Sequence, residues 1–159
     1  MKSISGRSSE EGQRGFTLIE LIITMAVLAV VVSIAAPSFQ SLMANQRVKA
    51  AADELLMSIM YARTEAIKTR SAIAVVRTGD DWGNGWSVKQ GDVVLRKDDK
   101  SGLLVSGFAG DKLTFSRNGR LSTEATFSVC DEGGKAEGRK INVSLSGQAR
   151  VTKSGSCEQ

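Results

Sequence analysis

The sequence predicts an α+β protein. A long N-terminal helix, membrane-spanning in its first half and amphipathic in its second, packs on an antiparallel β-sheet domain. Three observations lead there. An apolar run fills residues 16–36, and apolar side chains then recur at helical spacing to about Arg70. From Ala72 onward, short β-rich segments alternate with turn residues, and no second helical pattern follows. The chain has 159 residues. Setting aside a leader (1–15) and the apolar run (16–36) leaves roughly 120 residues, 37–159, enough for one modest core.

The first element begins behind a polar leader that carries Lys2, Arg7 and Arg14. A run of about 20 residues rising about 1.5 Å each spans a bilayer core of about 30 Å. The run meets that length with one exception, the carboxylate of Glu20. An acid in hydrocarbon costs about 2.5–3.5 kcal/mol on insertion scales, so it ordinarily has a partner and a purpose. No Lys, Arg or His lies within 16–36 to pair with it. A cut after Gly15 would create one nearby cation, the amine of Phe16. Positive charge ahead of the run holds the leader on the cytoplasmic side, which sends the globular part outward. A secretory signal peptide, cut after Ser33-Ile34-Ala35, is the competing reading. Its core should be shorter, and greasiest where Glu20 stands. A plain anchor explains the length but not the acid.

Pro37 removes one backbone hydrogen bond, which bends a helix without necessarily ending it. Beyond it, Val48, Ala52, Leu55, Ile59, Ala62 and Ala66 recur at spacings of three and four, forming one face for a sheet to cover. Strands are expected at 73–76, 86–88, 93–95, 103–105, 113–115, 126–129, 141–145 and 149–151. Glycine-bearing turns such as Gly83-Asn84-Gly85, Asn118-Gly119 and Ser146-Gly147 separate several of them. Trp82 and Trp86, flanking the first of these turns, read as a cover over the end of the core.

Gly15-Phe16-Thr17-Leu18-Ile19-Glu20 resembles the start of type IV pilins and type II secretion pseudopilins. The globular half is similar to the FimT/GspH branch of their minor subunits. It carries that likeness in Ala62-Arg63-Thr64-Glu65-Ala66-Ile67-Lys68, in Trp82-Gly83-Asn84-Gly85-Trp86, in Leu113-Thr114-Phe115 with Gly119, and in Ile141-Asn142-Val143-Ser144 with Gly147. The resemblance implies a pilin-like fold and a prepilin peptidase cut between Gly15 and Phe16, with Phe16 then methylated. It implies that Glu20 meets the first amine of an adjacent subunit during assembly. Partners would be the peptidase, other minor and major pilins, the inner-membrane assembly platform and the membrane itself. The implied location is the inner membrane with the domain in the periplasm, and then the pilus. A type II secretion pseudopilin is the nearest alternative function.

Composition argues against catalysis. The chain has no histidine, the commonest general base and metal ligand. Asp80-Asp81 and Asp98-Asp99 read as solvated loop charge without calcium-loop spacing. Gly83-x-Gly85 is too short for a phosphate-cradling loop. The expectation is a non-enzymatic chain with no cofactor and no metal. Cys130 and Cys157 would be two thiols in cytosol; outside the membrane they read as a disulfide contributing about 3–4 kcal/mol. Arg139, Lys140, Arg150 and Lys153, joined by Arg117 and Arg120, form a basic strip on which salt-dependent DNA contact is conceivable. It is the weaker reading. A Gly-Arg-x-Arg string marks DNA-uptake members of the branch, and here it stands as Gly147-Gln148-Ala149-Arg150. Asp131, Glu132 and Glu137 offset the charge further.

Overall fold

A computed structural model describes residues 16–99, 102–134 and 136–155. Helix α1 covers Leu18–Thr69 and passes through Pro37 unbroken. The strands are β1 (Ile73–Arg77), β2 (Trp86–Gln90), β3 (Val93–Asp98), β4 (Leu104–Ser106), β5 (Lys112–Phe115), β6 (Ala125–Cys130), β7 (Gly138–Val143) and β8 (Ala149–Gly155). A single 3₁₀ turn, Trp82–Asn84, precedes β2. The chain divides into two compact units at Pro37 and Ser38.

In the first unit every described side chain is exposed, and the helix is long and apolar enough to cross a membrane. A surface of that kind is stable only against lipid or other apolar chains.

The second unit owes its core to the spacing in α1. Val48, Ala52, Leu55, Ile59, Ala62 and Ala66 are all inaccessible to solvent, as their three-and-four spacing predicts. Each fully buried Val, Leu or Ile contributes about 1.5–3 kcal/mol. The strands supply the other wall by alternation: Ile73 and Val75 on β1, Trp86 and Val88 on β2, Leu113 and Phe115 on β5. Phe127, Val129, Ile141 and Val143 do the same on β6 and β7.

All eight expected strands form, with one shift and one difference in topology. Strand β7 starts earlier than expected and ends at Val143, because Ser144 and Leu145 enter the turn closed by Gly147 N–H to the Ser144 carbonyl at 2.8 Å. The strands build two four-stranded antiparallel sheets, β3-β2-β1-β5 and β4-β6-β7-β8, where a single meander was expected. β5 returns to pair with β1, and β4 joins β6 in the other sheet. Both tryptophans are core residues. Trp82 stands edge-on to Phe127 at 5.0 Å, and its indole N–H donates to the Gly110 carbonyl at 3.1 Å. That satisfies the polar end of a buried aromatic.

Candidate assembly site

Thr17 and Glu20 form a reciprocal cap at the start of α1. The Glu20 carboxylate accepts from the Thr17 N–H at 2.9 Å and from Thr17 Oγ1 at 3.0 Å. In return, the Glu20 N–H donates to Thr17 Oγ1 at 3.3 Å. This is a capping box, Thr-x-x-Glu, which satisfies otherwise orphaned N–H groups of the first turn. Glu20 also stands at the positive end of the helix dipole. The Thr-x-x-Glu spacing that signals it is present in the sequence, beside the expectation of a cation partner for Glu20. Among the described residues Glu20 makes no ion pair. Phe16 is exposed, and Gly15 lies outside the described residues.

The scattered motifs of the globular half meet in space. Arg63 Nε donates to the Gly119 carbonyl at 3.3 Å. A Cβ at Gly119 would lie 2.6 Å from Ile67 Cδ1, and one at Gly147 would lie 2.1 Å from the Gly119 carbonyl oxygen. Both glycines also have positive φ, so two turns can close against one side of α1 only without side chains there. The Leu121 N–H bonds the Leu145 carbonyl at 3.0 Å, joining the turn after β5 to the turn after β7. Residues of the helix, Gly119 and Gly147 thus form one junction that ties the two sheets to α1.

The four basic candidates do not share a face. Register pairs Arg139 with Lys153 and Ile141 with Val151, so these look toward the core side of the sheet. Lys140 pairs with Thr152, and Asn142 with Arg150, on the opposite face. Lys153 is already held by Glu137 at 2.9 Å. Arg117 and Arg120 are exposed residues of the Gly119 turn. A shallow groove of about 350 Å³ touches Arg150, Thr126 and Asn142, with Glu124 at its margin. Cys130 is buried at the end of β6 and is not a free thiol, whereas Cys157 lies outside the described residues.

One acid departs from its expected role. Asp98 is buried, 6% exposed, at the end of β3. It accepts from Ser58 Oγ of α1 at 2.7 Å and from Arg96 through Nε and Nη2 at 2.8–3.0 Å. Among the described residues the buried Trp86 indole N–H has no partner that meets hydrogen-bond geometry, although its dipole still favours the Asp98 carboxylate. Burial raises the Asp98 carboxyl, but the Arg96 and Ser58 hydrogen bonds outweigh it and hold it below the ordinary range. Asp98 is therefore a structural fastener between β3 and α1. Its neighbour Asp99 stays solvated beside Lys97, and Asp81 caps the 3₁₀ turn through the Gly83 N–H at 2.6 Å. No cluster of three metal-ligating side chains exists among the described residues.

Comparison with known proteins places this geometry. The profile of the family described as type II transport protein GspH matches residues 51–147, and the prokaryotic N-terminal methylation motif matches residues 12–36. The chain belongs to the GspH family. The match spans the helix face from Ala51 onward, the Trp82–Asn84 turn and both junction glycines. Among solved structures, the type IV minor pilin FimU of Pseudomonas aeruginosa is similar in two crystal forms. One is 32% identical, with a TM-score of 0.61, over 71% of this chain and 96% of that one. The other is 34% identical, again at 0.61, over 69% and 99%. The minor pseudopilin EpsH of Vibrio cholerae shares the fold, at 17% identity and a TM-score of 0.55, over 67% and 97%. No curated protein matches the sequence. This GspH-family chain has the fold and motifs of a minor pilin or pseudopilin. Its family consists of structural subunits that assemble with other pilins. The apolar N-terminal helix and the methylation motif fit a membrane-anchored pilin.

Proposed function

We propose that this chain is a minor pilin, a non-enzymatic subunit that is held in the inner membrane and then drawn into a type IV pilus. Prepilin peptidase cuts between Gly15 and Phe16 and methylates Phe16, and residues 16–36 anchor the domain, 37–159, on the periplasmic side. The inner-membrane platform then packs it beside other minor and major pilins, where it helps to prime the filament. The observation carrying this reading is Glu20, an acid in the exposed apolar first half of α1 whose only donor among the described residues is Thr17. In a low-dielectric helix bundle an unpaired carboxylate is costly, so the Phe16 amine of an adjacent subunit selects the correct axial register.

A bridge from Cys130 to Cys157 belongs to the same reading. Val129, the residue before Cys130, pairs with Arg139, and the next residue of β7, Gly138, pairs with Gly155 of β8. In the sequence Cys157 follows Gly155, the last residue of β8, by two positions. The greater identity to FimU than to EpsH favours a pilus over a type II secretion machine. DNA contact is not carried forward, because the basic side chains divide between two faces.

The test is the amount of Glu20→Ala protein in sheared filaments. It should fall well below wild type while the membrane-inserted pool is unchanged. Equal amounts in filaments would sink the role given to Glu20.

A further inference from the structure

One face of α1 in the second unit is covered by strands, yet the other is not simply polar. Arg47, Ala50, Glu54, Met57, Tyr61, Thr64 and Lys68 follow one another at alternating spacings of three and four, and all are exposed. Met57 is 59% exposed and the adjoining Met60 54%. Such spacing makes a straight stripe down a helix, the pattern by which one helix meets another surface.

The charge at the middle of this stripe is unbalanced. Glu54 lies beside both Asp98 and Arg96 of β3, so two carboxylates face one guanidinium. That guanidinium is committed: it gives Asp98 three hydrogen bonds, and Ser58 gives a fourth. Among the described residues Glu54 makes no ion pair. Tyr61, next but one along the stripe, also lies near Arg96, so the acid and the apolar side chains form one patch. Partial desolvation first, and then the Asp98 carboxylate, push the Glu54 carboxyl above its ordinary range. The isolated subunit therefore presents an exposed carboxylate, without an ion pair among the described residues, beside the exposed Met57 and Tyr61.

Resting on the minor-pilin reading, we infer that the Glu54–Met57–Tyr61 stripe is a docking surface for a neighbouring pilin-type subunit that presents a Lys or Arg to Glu54 and apolar side chains to Met57 and Tyr61. Charge complementarity selects this occupant. A partner without a cation would bury Glu54 beside Asp98 uncompensated, and an acidic one would add a third carboxylate to the two already there.

Full-length Glu54→Arg and Met57→Lys are expressed in piliated cells, and their recovery in sheared filaments is compared with that of Glu20→Ala. Thermal unfolding of each purified protein in detergent serves as the folding control. Both surface variants should stay folded, since both positions are exposed, and incorporation of Glu54→Arg should fall more than about tenfold. An acidic substitution at the partner's basic residue should restore it. Wild-type incorporation of both surface variants, with Glu20→Ala still lost, overturns the docking surface and leaves the minor-pilin reading standing. Wild-type incorporation of all three overturns the reading itself.

Discussion

The two halves of α1 are built from similar residues and do opposite things. Residues 18–36 are apolar on every side and wholly exposed; residues 44–66 are apolar chiefly on one side, and nine of their side chains are buried. The difference lies in what covers them. In the second half a three-and-four spacing matches two sheets folded from the same chain, so the protein supplies its own solvent-free wall. In the first half the apolar surface is continuous, as suits a helix long and apolar enough to cross a membrane, where no polar face is needed. A helix can thus be domain core in one half and a continuous apolar surface in the other, passing through Pro37 at the loss of one backbone hydrogen bond.

The sharpest way to break this comparison is to make one substitution in each half. Leu55→Ala, at a site with no solvent exposure, should cost about 2–5 kcal/mol, read as a lowered unfolding midpoint of the full chain in detergent. Leu28→Ala, 56% exposed, should leave that midpoint within about 0.5 kcal/mol of wild type. Equal effects would mean that the halves are not energetically distinct.

Asp98 sharpens the second half. Asp98→Ala strands the half-exposed Arg96 beside α1 and should cost about 3 kcal/mol, with amide exchange rising first in β3. The pH dependence follows from the two shifts. Asp98 is lowered in the folded state, so its contribution is present above the unfolded carboxyl range and fades as pH falls through its own folded value. Glu54 is raised, so its contribution is present in acid and fades as pH rises through its folded value. Because Glu54 is exposed, salt screens that second effect. Asp98→Asn should blunt the acid-side loss of stability, and an unaltered acid limb would contradict the fastening role.

The first half is tested more gently. Thr17→Ala removes the reciprocal cap and should loosen the first turn of α1 by about 1 kcal/mol, visible as faster exchange of the Glu20 amide in micelles. No effect beyond the first turn is expected.

Much of this was legible in the sequence because it is local. The helical stripe, the eight strands and the buried tryptophans follow from periodicity and turn residues within a few positions. The capping box is equally local, since Glu20 stands three residues after Thr17, but the charge of Glu20 in an apolar run points first to a cation. What could not be read was non-local. Lys97-Asp98-Asp99 looks like a solvated turn until Ser58, 40 residues away, arrives to hold Asp98. The return of β5 to β1 split the expected sheet into two, and cross-strand register divided the basic strip between two faces. The role of Gly119 and Gly147 likewise appears only when two distant turns meet Arg63 and Ile67.

In the proposed function, cleavage after Gly15 turns residues 16–36 into the surface by which the subunit assembles. The most direct test of that step is the intact mass of the protein recovered from membranes. A chain that begins at Phe16 and carries one added methyl group is the predicted result. A chain that begins at Met1, or one cut after Ala35, would contradict the account, leaving a plain anchor in the first case and a secreted domain in the second.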